Sequence, residues 1–498
     1  MASCPENADS IVAVRSLRPP EPHRMNKHVV ILGGGLAGLS CGYELQKAGK
    51  RVTILEREPF VGGMASSFIE DGDEYWTYDF GPHRFHSKDE NLIGHVREIL
   101  GDNVVMAVRK SRIFLFNQLI EYPLVAGDVL KKMPKLMMVK AMLDYLWVRT
   151  QDRVFKKSFN EDRDFESWVT RRYGRTLYRV FFGEYTEKTW GIPPSTISAT
   201  WASQRITLLN LWDTIKKTLR PPSTKDGPRT LVKEFIYPKF GGIGELARGY
   251  ARKIEEMGGT VMVNAPAIRV FRDGDTVTGI EYGKHKRETI TGDTYVNTIP
   301  VNTLAKALTP KSPPEVLEAA NVLKHVSIVF VYLKLNRPTV TDDSWVYLPE
   351  KRLSVHRFSE FRNFSPHCAP EGKTLICCEI TCRRGDEIWR ASIEELSKIA
   401  ERDLLTVGLI EENQVIGTVV KKIPYAYPLY EVGYERHLEP MMQYIRGLKN
   451  MHTTGRQGAY RYNNMDQSVE MGRKLAWQLT TGDELGFGEV ATGKEYFG

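Results

Sequence analysis

Three glycines near the start of the chain have the spacing of a phosphate-binding turn. They follow the apolar run 29–32 and spell G-x-G-x-x-G. The first glycine allows a tight turn, the second lets the backbone approach a pyrophosphate, and the third lets a helix pack closely on a strand. The pattern predicts that a dinucleotide places its phosphates at the N-terminus of the next helix. The residues predicted to bind it there are Gly33, Gly35, Leu36, Ala37 and Gly38.

Two strands and a helix are predicted to position this turn. Residues 29–32 are typical of a buried parallel strand, 36–48 read as a helix that ends at Gly49, and 51–55 form the next strand. Glu56 follows, where a carboxylate can accept hydrogen bonds from ribose hydroxyls and disfavours the 2′-phosphate of NADP. A glycine-rich turn without a ligand is the alternative, but all the parts occur in the expected order.

The residues after Glu56 indicate which dinucleotide is bound. Glu56-Arg57, followed by Gly62-Gly63, resembles the E-R-x-x-x-x-G-G extension of the FAD-binding amine oxidase and protoporphyrinogen oxidase superfamily. The resemblance implies a second backbone loop, continuing to Met64, against the FAD pyrophosphate and ribityl chain. It also implies that the stretch around Ala267 meets the adenine. FAD is therefore the expected cofactor.

Two further motifs resemble those of UDP-galactopyranose mutases. The G-P-H-R-F-H stretch at 81–86 resembles G-P-H-x-F-H, which implies that His83, with Arg84 beside it, lies at the reactive face of the flavin. The alternative is a turn with two surface histidines. Residues 185–191 resemble Y-T-x-K-x-W-G, so Tyr185 and Trp190 are expected to line a substrate cleft. Equally, they could end a helix packed on the core.

A third mutase-like motif lies near the end of the chain. Residues 455–466 resemble G-R-x-G-x-Y-R-Y-x-D-M-D, and a helix is predicted to follow, capped by Asn463 or Asn464. Its N–H groups and dipole would stabilise negative charge on the flavin pyrimidine ring. The predicted FAD contacts here are Gly455, Arg456 and Met465. Two residues of the motif, Arg456 and Tyr462, are also catalytic candidates, and Tyr460 is a candidate substrate contact. The other candidate substrate contacts are Arg205, Arg357 and Tyr430.

The resemblance covers nearly the whole chain and implies an α/β fold. We expect a Rossmann-like FAD-binding domain, as in two-dinucleotide-binding-domain flavoproteins, with an inserted α+β substrate domain. The FAD-binding domain is predicted to consist of residues 26–110, 232–300 and 445–498. The substrate domain is predicted to consist of 111–231 and 301–444. Residues 1–24 lack an apolar segment and are predicted to be a disordered tail.

Three hypotheses for the activity follow from the resemblance. The first is an FAD-dependent oxidoreductase that transfers a hydride from an organic substrate to flavin N5. The second is a nucleotide-sugar mutase in which reduced FAD is the nucleophile. Leu208 and Leu209 stand where a basic residue for the diphosphate is expected, and Asn464 replaces an acid of the third motif, so the oxidoreductase is favoured. The third is a non-catalytic flavoprotein, by analogy with duplicated folds.

Composition limits the partners and the location. The 498 residues carry a net charge of +8 without an arginine-rich block, so a small-molecule substrate is expected and nucleic-acid binding is not. The six cysteines form no metal-binding pattern, no metal is expected, and reduced thiols indicate the cytoplasm. No stretch of about 18 uncharged apolar residues predicts a membrane span. The basic, Met-rich helix predicted at 131–153 indicates core packing by its spacing, but leaves open a peripheral membrane contact. Oligomerisation is also left open.

Overall fold

A five-stranded parallel sheet is built around the predicted strand–turn–helix unit. The computed structural model describes residues 27–155, 162–205 and 234–483, so the predicted tail and the pair Leu208 and Leu209 lie outside the described residues. The strands lie in the order Met451–Thr453, Thr294–Asn297, His28–Leu32, Arg51–Leu55 and Thr260–Met262. All five residues of the central strand are buried, as expected for a parallel strand covered on both faces. The predicted α/β, Rossmann-like fold class is confirmed.

Two helices pack closely beside this sheet and fix the position of the glycine turn. Leu36–Lys47 follows the turn, and Met465–Thr481 lies against it. A Cβ atom on Gly472 would lie 2.2 Å from Ser40 Oγ and 2.3 Å from the carbonyl oxygen of Ala37. Only glycine permits this approach, which brings the first turn of the terminal helix next to the phosphate-binding turn.

A seven-stranded mixed sheet forms the second large layer. Its strands lie in the order Val415–Pro428, His325–Leu335, Thr374–Cys382, Arg357–Glu360, Trp345–Tyr347, Ser111–Leu115 and Gln118–Glu121. Every strand comes from residues predicted to form the substrate domain, whereas the parallel sheet comes from the predicted FAD-binding segments. The exact division into two domains stays a prediction. The last two strands form a β-hairpin, with its turn at Phe116 and Asn117, which both have a positive φ.

The remaining elements complete the layers. A four-stranded sheet contains Glu288–Ile290, Thr276–Tyr282, Ala267–Asp273 and Leu308–Thr309, and two hairpin-like pairs are Ser67–Asp71 with Tyr75–Asp79 and Val105–Val108 with Glu234–Tyr237. The other α-helices are Glu90–Leu100, Ala126–Lys132, Lys135–Phe155, Phe165–Tyr173, Arg175–Leu177, Glu184–Trp190, Ala199–Arg205, Glu245–Glu256, Val301–Ala307, Pro314–Val322, Glu387–Arg390, Ile393–Thr406, Glu435–Arg446 and Gly455–Gly458.

Buried side chains of both large sheets belong to one hydrophobic core, and aromatic residues of the segment 75–80 pack in it. Phe80 packs on Phe330 with ring centroids 5.3 Å apart, and Tyr78 meets Tyr332 edge-on at 5.2 Å. The Tyr332 hydroxyl donates to the carbonyl oxygen of Asp79 at 2.8 Å. The strand Tyr75–Asp79 therefore packs on the seven-stranded sheet just before the G-P-H-R-F-H stretch.

The basic segment 131–153 differs from its prediction in two ways. The helix is interrupted at Pro134, because proline cannot donate the backbone hydrogen bond that a helix interior needs, and it restarts as Lys135–Phe155. The prediction of core packing is wrong for most of its apolar side chains. Leu136 is 85% exposed and Trp147 is 65% exposed, and Val139, Met142, Leu143 and Leu146 are also exposed. None of the described helices is long and apolar enough to cross a bilayer.

Candidate functional site

The glycines of the turn differ in what surrounds them. A Cβ atom on Gly33, whose φ is +102°, would lie 2.4 Å from Thr298 Oγ1, and one on Gly38 would lie 2.2 Å from the Gly33 carbonyl oxygen. A Cβ atom on Gly35 would meet no protein atom within 4 Å. Gly33 and Gly38 are therefore required by packing, whereas Gly35 faces open space.

The second glycine loop lies directly on the first. The Gly62 N–H donates to the Gly34 carbonyl oxygen at 2.7 Å, and Gly35 and Gly62 form an isolated parallel bridge. A Cβ atom on Gly63 would come within 3.7 Å of Gly35 Cα. Because side chains are missing from both loops, their backbones can approach one ligand from two sides.

Glu56 closes the far end of this region at the carboxyl end of its strand. Its two carboxylate oxygens accept the N–H groups of Gly34 at 2.7 Å and Glu58 at 2.9 Å. Burial raises the pKa of this carboxyl group, and the two backbone donors oppose that rise. Each oxygen keeps a second lone pair for a ligand hydroxyl, as the ribose prediction requires.

These groups line one long cavity of about 530 Å³. It runs from Glu56 and Ala267 past both glycine loops to His83 and Arg456. The predicted cofactor residues that line it are Gly33, Gly35, Leu36, Ala37, Glu56, Arg57, Gly62, Gly63, Met64, Ala267, Gly455, Arg456 and Met465. Of the predicted set, Gly38 alone is missing from this lining, because it packs against Gly33.

Arg456 holds the start of the terminal helix at the end of this cavity. Its Nη2 and Nε donate to the Asn463 carbonyl oxygen at 2.5 Å and 3.2 Å, while its Nη1 is buried without a protein partner. Asn464 caps the helix in a reciprocal capping box with Gln467. An aspartate would cap the helix in the same way, so the asparagine that replaces the acid of the motif at position 464 serves the same capping role.

A neutral histidine and two tyrosines lie beside Arg456. Burial and the charges of Arg456 and Arg357 lower the pKa of His83 to about 3, so its imidazole is uncharged at neutral pH. Its Nδ1 is buried without a partner. The rings of Tyr427 and Tyr462 stack with centroids 5.0 Å apart, each 5.3 Å from the Arg456 guanidinium. This end of the cavity is therefore aromatic, with cationic and neutral polar groups around it.

Arg357 lies nearby but its charge is matched. Its Nε and Nη2 donate to the two carboxylate oxygens of Glu379 at 2.6 and 2.7 Å, a bidentate ion pair. Tyr347 connects this pair to Tyr185, since its ring centroid lies 6.0 Å from the Arg357 guanidinium and 5.5 Å from the Tyr185 ring. The half-buried Tyr185 thus belongs to the same cleft.

Arg84 and Arg109 lie on the indole of Trp345. The Arg84 guanidinium is 4.2 Å from the ring centroid and the Arg109 guanidinium is 5.4 Å from it. Burial and then the charge of Arg109 lower the pKa of Arg84 to about 9, which leaves it charged at neutral pH. In the described ranges, neither arginine forms an ion pair with an acid.

Three predicted substrate contacts lie in the core. Trp190, Tyr430 and Tyr460 are at most 6% exposed and belong to one hydrophobic cluster. The Tyr460 hydroxyl donates to the carbonyl oxygens of Lys324 at 2.7 Å and Leu429 at 3.1 Å. Their burial argues against direct contact with a substrate. Arg205 ends a helix, and its side chain lies outside the described residues.

Sequence reasoning missed four side chains of the cleft. Tyr347, Trp345 and Arg109 have no motif, and Tyr427 stood out only as one of several tyrosines in a tyrosine-rich stretch. Trp345 and Tyr347 share the short strand next to the β-hairpin, and Arg109 precedes that hairpin. Their positions depend on long-range strand pairing, so the local sequence does not predict them; the one local feature is the basic stretch Arg-Lys-Ser-Arg at 109–112.

The shape of the cavity fits FAD. The open space at Gly35, the doubled glycine loop and the Glu56 carboxylate suit the pyrophosphate, the ribityl chain and the ribose. At the opposite end of the cavity, two buried polar atoms have no protein hydrogen-bond partner: His83 Nδ1 and Arg456 Nη1. A flavin ring, which carries hydrogen-bonding atoms along its edge, would supply those partners.

Comparison with known proteins identifies the family. The family model described as flavin containing amine oxidoreductase matches residues 36–480. An L-amino-acid oxidase from Siganus canaliculatus is 22% identical over 96% of this chain and 90% of its own length. A "Probable UDP-galactopyranose mutase" from Klebsiella pneumoniae is 24% identical over 35% of this chain, a match that spans 44% of that protein.

A solved structure agrees with the family match. The crystal structure of reduced UDP-galactopyranose mutase superposes with a TM-score of 0.78 at 20% identity, over 95% of this chain and 99% of the other. At that identity the likeness concerns the fold. The family match also confirms the predicted superfamily and FAD as the cofactor. The chain belongs to the flavin-containing amine oxidoreductases and is an FAD-dependent enzyme of that family.

Proposed function

We propose that the protein oxidises a small organic substrate by hydride transfer to FAD. The observation that carries the proposal is that Arg456, which lines the dinucleotide cavity together with His83, also lies against the stacked rings of Tyr427 and Tyr462. When bound, FAD supplies the oxidant, since its ring accepts a hydride from the substrate at N5. The remaining work is positioning and electrostatics, and the cleft residues supply both.

Three of the four predicted catalytic residues, His83, Arg456 and Tyr462, have a proposed role in this cleft. The stacked Tyr427 and Tyr462 orient the substrate, with the Arg456 cation beside them. The neutral His83 offers a hydrogen bond without adding charge. The carboxylate of Glu379 is engaged by Arg357, so it is not available as a general base. This favours a substrate that gives up a hydride without prior removal of a C–H proton by a carboxylate.

The test is anaerobic reduction. The FAD-loaded protein is mixed with candidate substrates without oxygen, and flavin absorbance is recorded. In the proposed reaction a substrate bleaches the flavin in a single turnover, and air restores the absorbance with consumption of oxygen or of another supplied acceptor. Tyr462→Ala should slow the bleaching while leaving the FAD content unchanged. Bleaching in Tyr462→Ala at the wild-type rate contradicts the assignment of the cleft.

A nucleotide-sugar mutase is the second candidate, with reduced FAD as nucleophile. Three motifs and the UDP-galactopyranose mutase fold support it, and so does the excess of positive charge from Arg84 and Arg109 in the cleft. The predicted objection at Leu208 and Leu209 lies outside the described residues. UDP-hexose turnover that requires dithionite and consumes no oxygen would favour the mutase. Substrate-dependent bleaching of oxidised enzyme would favour the oxidoreductase.

We further propose that the exposed helix Lys135–Phe155 contacts an anionic membrane surface. Its exposed apolar side chains, above all Leu136 and Trp147, lie among the exposed cations Lys131, Lys135 and Lys140. Apolar and cationic side chains together are typical of interfacial helices. The protein should therefore float with phosphatidylserine vesicles.

The test of this contact uses a matched pair of variants. Trp147→Glu should abolish flotation, whereas Ile393→Glu, at an exposed apolar position on another helix, should leave it unchanged. Equal flotation of both variants, or concentration-dependent self-association through this helix without vesicle binding, contradicts the proposal. We also propose a cytoplasmic location, supported by five buried cysteines that are all free among the described residues.

A further inference from the structure

We propose that Arg84, Arg109 and Trp345 form a binding subsite for an oxyanion, a carboxylate or phosphate group carried by the substrate. The inference rests on the proposed function only in assigning the anion to the substrate. The subsite lies beside the flavin end of the cavity, since Arg84 follows His83, which lines that cavity. Both guanidinium groups lie within 6 Å of the centroid of the same indole ring, and the charge of Arg109 lowers the pKa of Arg84, so the two cations are close to each other.

Several polar hydrogens in this region lack acceptors. Arg109 Nε and Trp345 Nε1 are both buried without a hydrogen-bond partner. The hydrogen bond recorded for Arg84 is a long one, from Nη1 to the Pro82 carbonyl oxygen at 3.3 Å. Buried donors are nearly always satisfied in folded proteins. Three neighbouring groups with spare donors indicate that an acceptor from outside the chain completes the arrangement.

Three other cations close to this region are paired with acids, whereas these two arginines are not. Lys110 pairs with Asp342, Arg112 pairs with Asp342 and Asp343, and Arg357 pairs with Glu379. No such ion pair involves Arg84 or Arg109 in the described part of the chain. Two like charges held close together inside a protein are unfavourable unless an anion neutralises them.

The surrounding titratable groups add no negative charge. Burial and the charges of Arg84 and Arg109 lower the pKa of His86 to about 3, so His86 is neutral. Burial raises the pKa of Tyr122 to about 12, so its hydroxyl stays protonated and can donate as well. The ring of Tyr122 meets that of Tyr347 at 5.1 Å, which connects the subsite to the cleft. The site therefore presents donors and positive charge to an incoming ligand.

The experiment measures anion binding to the FAD-loaded enzyme, without turnover. Inorganic pyrophosphate and glutarate are titrated by calorimetry and by flavin difference absorbance. We expect at least one of them to bind and the affinity to fall at least tenfold in both Arg84→Gln and Arg109→Gln. Arg446→Gln, which removes the same charge from a surface position 59% exposed, should bind as wild type does. Preference for pyrophosphate identifies a phosphate source, and preference for glutarate a carboxylate source.

A second measurement separates a binding role from a structural one. Without anion, Arg109→Gln should melt no lower than wild type, because it removes an uncompensated charge, and added anion should raise the melting temperature of wild type alone. A lower melting temperature without anion, together with unchanged anion affinity, would make the arginines structural and overturn the proposal. Failure of both anions to bind wild type would overturn it as well.

The outcome is independent of the proposed reaction. If substrates bleach the flavin while anion binding ignores both arginines, the subsite is wrong and the oxidoreductase stands. If anions bind through both arginines while no substrate reduces the flavin, the subsite stands and the proposed reaction fails.

Discussion

Gly35→Val should weaken FAD binding strongly without unfolding the protein. Gly35 has φ −75° and ψ 171°, an extended conformation that valine adopts readily. No protein atom lies within 4 Å of the position of its Cβ. The added side chain therefore enters the cavity, where it occupies the space that a pyrophosphate needs. Folding of the apoprotein should be unaffected.

The expected loss follows from the hydrogen bonds that the phosphates can no longer make. A hydrogen bond to a charged group contributes about 1.5–3 kcal/mol, so losing one weakens FAD binding about 10- to 100-fold. At a concentration 100 times its Kd, a ligand stabilises the folded state by about 2.7 kcal/mol. A variant with 100-fold weaker affinity would keep only about 0.4 kcal/mol of that stabilisation at the same FAD concentration.

The assay is denaturant unfolding with and without added FAD, with two control variants. Gly94→Val lies on an exposed helical face with no heavy atom near, so it should behave as wild type. Gly38→Val, whose Cβ would lie 2.2 Å from a backbone oxygen, should destabilise even the apoprotein. The reasoning is refuted if Gly35→Val binds FAD as wild type does, or if its apoprotein is as unstable as that of Gly38→Val.

Three more predictions follow from buried charges. Arg456→Ala should keep FAD but lower the reduction potential of the flavin by some tens of mV in a spectroelectrochemical titration, because it removes a positive charge; about 30 mV corresponds to 1.4 kcal/mol. Arg456→Lys, which keeps the charge, should have a potential near that of wild type. An unchanged potential in Arg456→Ala would place the cation elsewhere. Glu379→Gln should cost about 3–5 kcal/mol in chemical unfolding because it leaves Arg357 buried and unpaired; a cost below 1 kcal/mol contradicts this. Burial raises the pKa of Asp79 to about 6, so the folded state resists ionisation of this carboxyl group. As the pH rises from 4 to 7, the free energy of unfolding of wild type should therefore fall by up to about 3 kcal/mol relative to that of Asp79→Asn. A difference between the two proteins that does not change with pH would disprove this.

The cofactor half of the site could be predicted because its constraints are local. The glycine spacing, the strand and the acid all belong to one strand–turn–helix–strand unit, and each imposes its requirement within a few residues. Gly33 must be glycine because Thr298 Oγ1 lies where its Cβ would be, and Gly35 leaves the cavity open. A local sequence pattern is therefore enough to predict the loop and its ligand.

The substrate half could not be predicted in the same way. Arg84 and Arg357 look alike in the sequence, yet one lacks an acid and the other is bidentate with Glu379. The difference arises from strand pairing, which sets Arg357 opposite Glu379. Tyr460 is a related case: its motif position indicates a site residue, but its hydroxyl donates to two core carbonyl groups, which argues against substrate contact. Pairing across a sheet depends on register, which no local motif specifies.

The periodicity of the helix Lys135–Phe155 was equally ambiguous. Apolar residues at helical spacing define a face, but the spacing is the same whether that face meets the core or lies exposed. Leu136 and Trp147 are exposed because no described element packs on them. By contrast, the break at Pro134 has a local signal that the predicted helix 131–153 ignored, since a proline inside a helical pattern interrupts it.

The motif at 185–191 shows why both readings of a motif can hold at once. Tyr185 faces the cleft, and Trp190 packs in the core against Trp201 with ring centroids 4.8 Å apart. Between them, the Lys188 ammonium donates to three backbone carbonyl oxygens, those of Leu348, Glu350 and Val355, at 2.7, 3.1 and 2.7 Å. Burial lowers the pKa of Lys188 to about 7, while the three acceptors favour its charged form.

Those three carbonyl groups belong to the loop between the strands Trp345–Tyr347 and Arg357–Glu360. That loop sets the relative position of the indole under Arg84 and Arg109 and of the Arg357–Glu379 ion pair. Lys188 therefore acts on the cleft without touching it. One short helix supplies an aromatic side chain of the cleft, a tryptophan packed in the core, and the lysine that holds the loop between the two strands. The motif consequently predicts cleft geometry even though only its tyrosine lines the cleft.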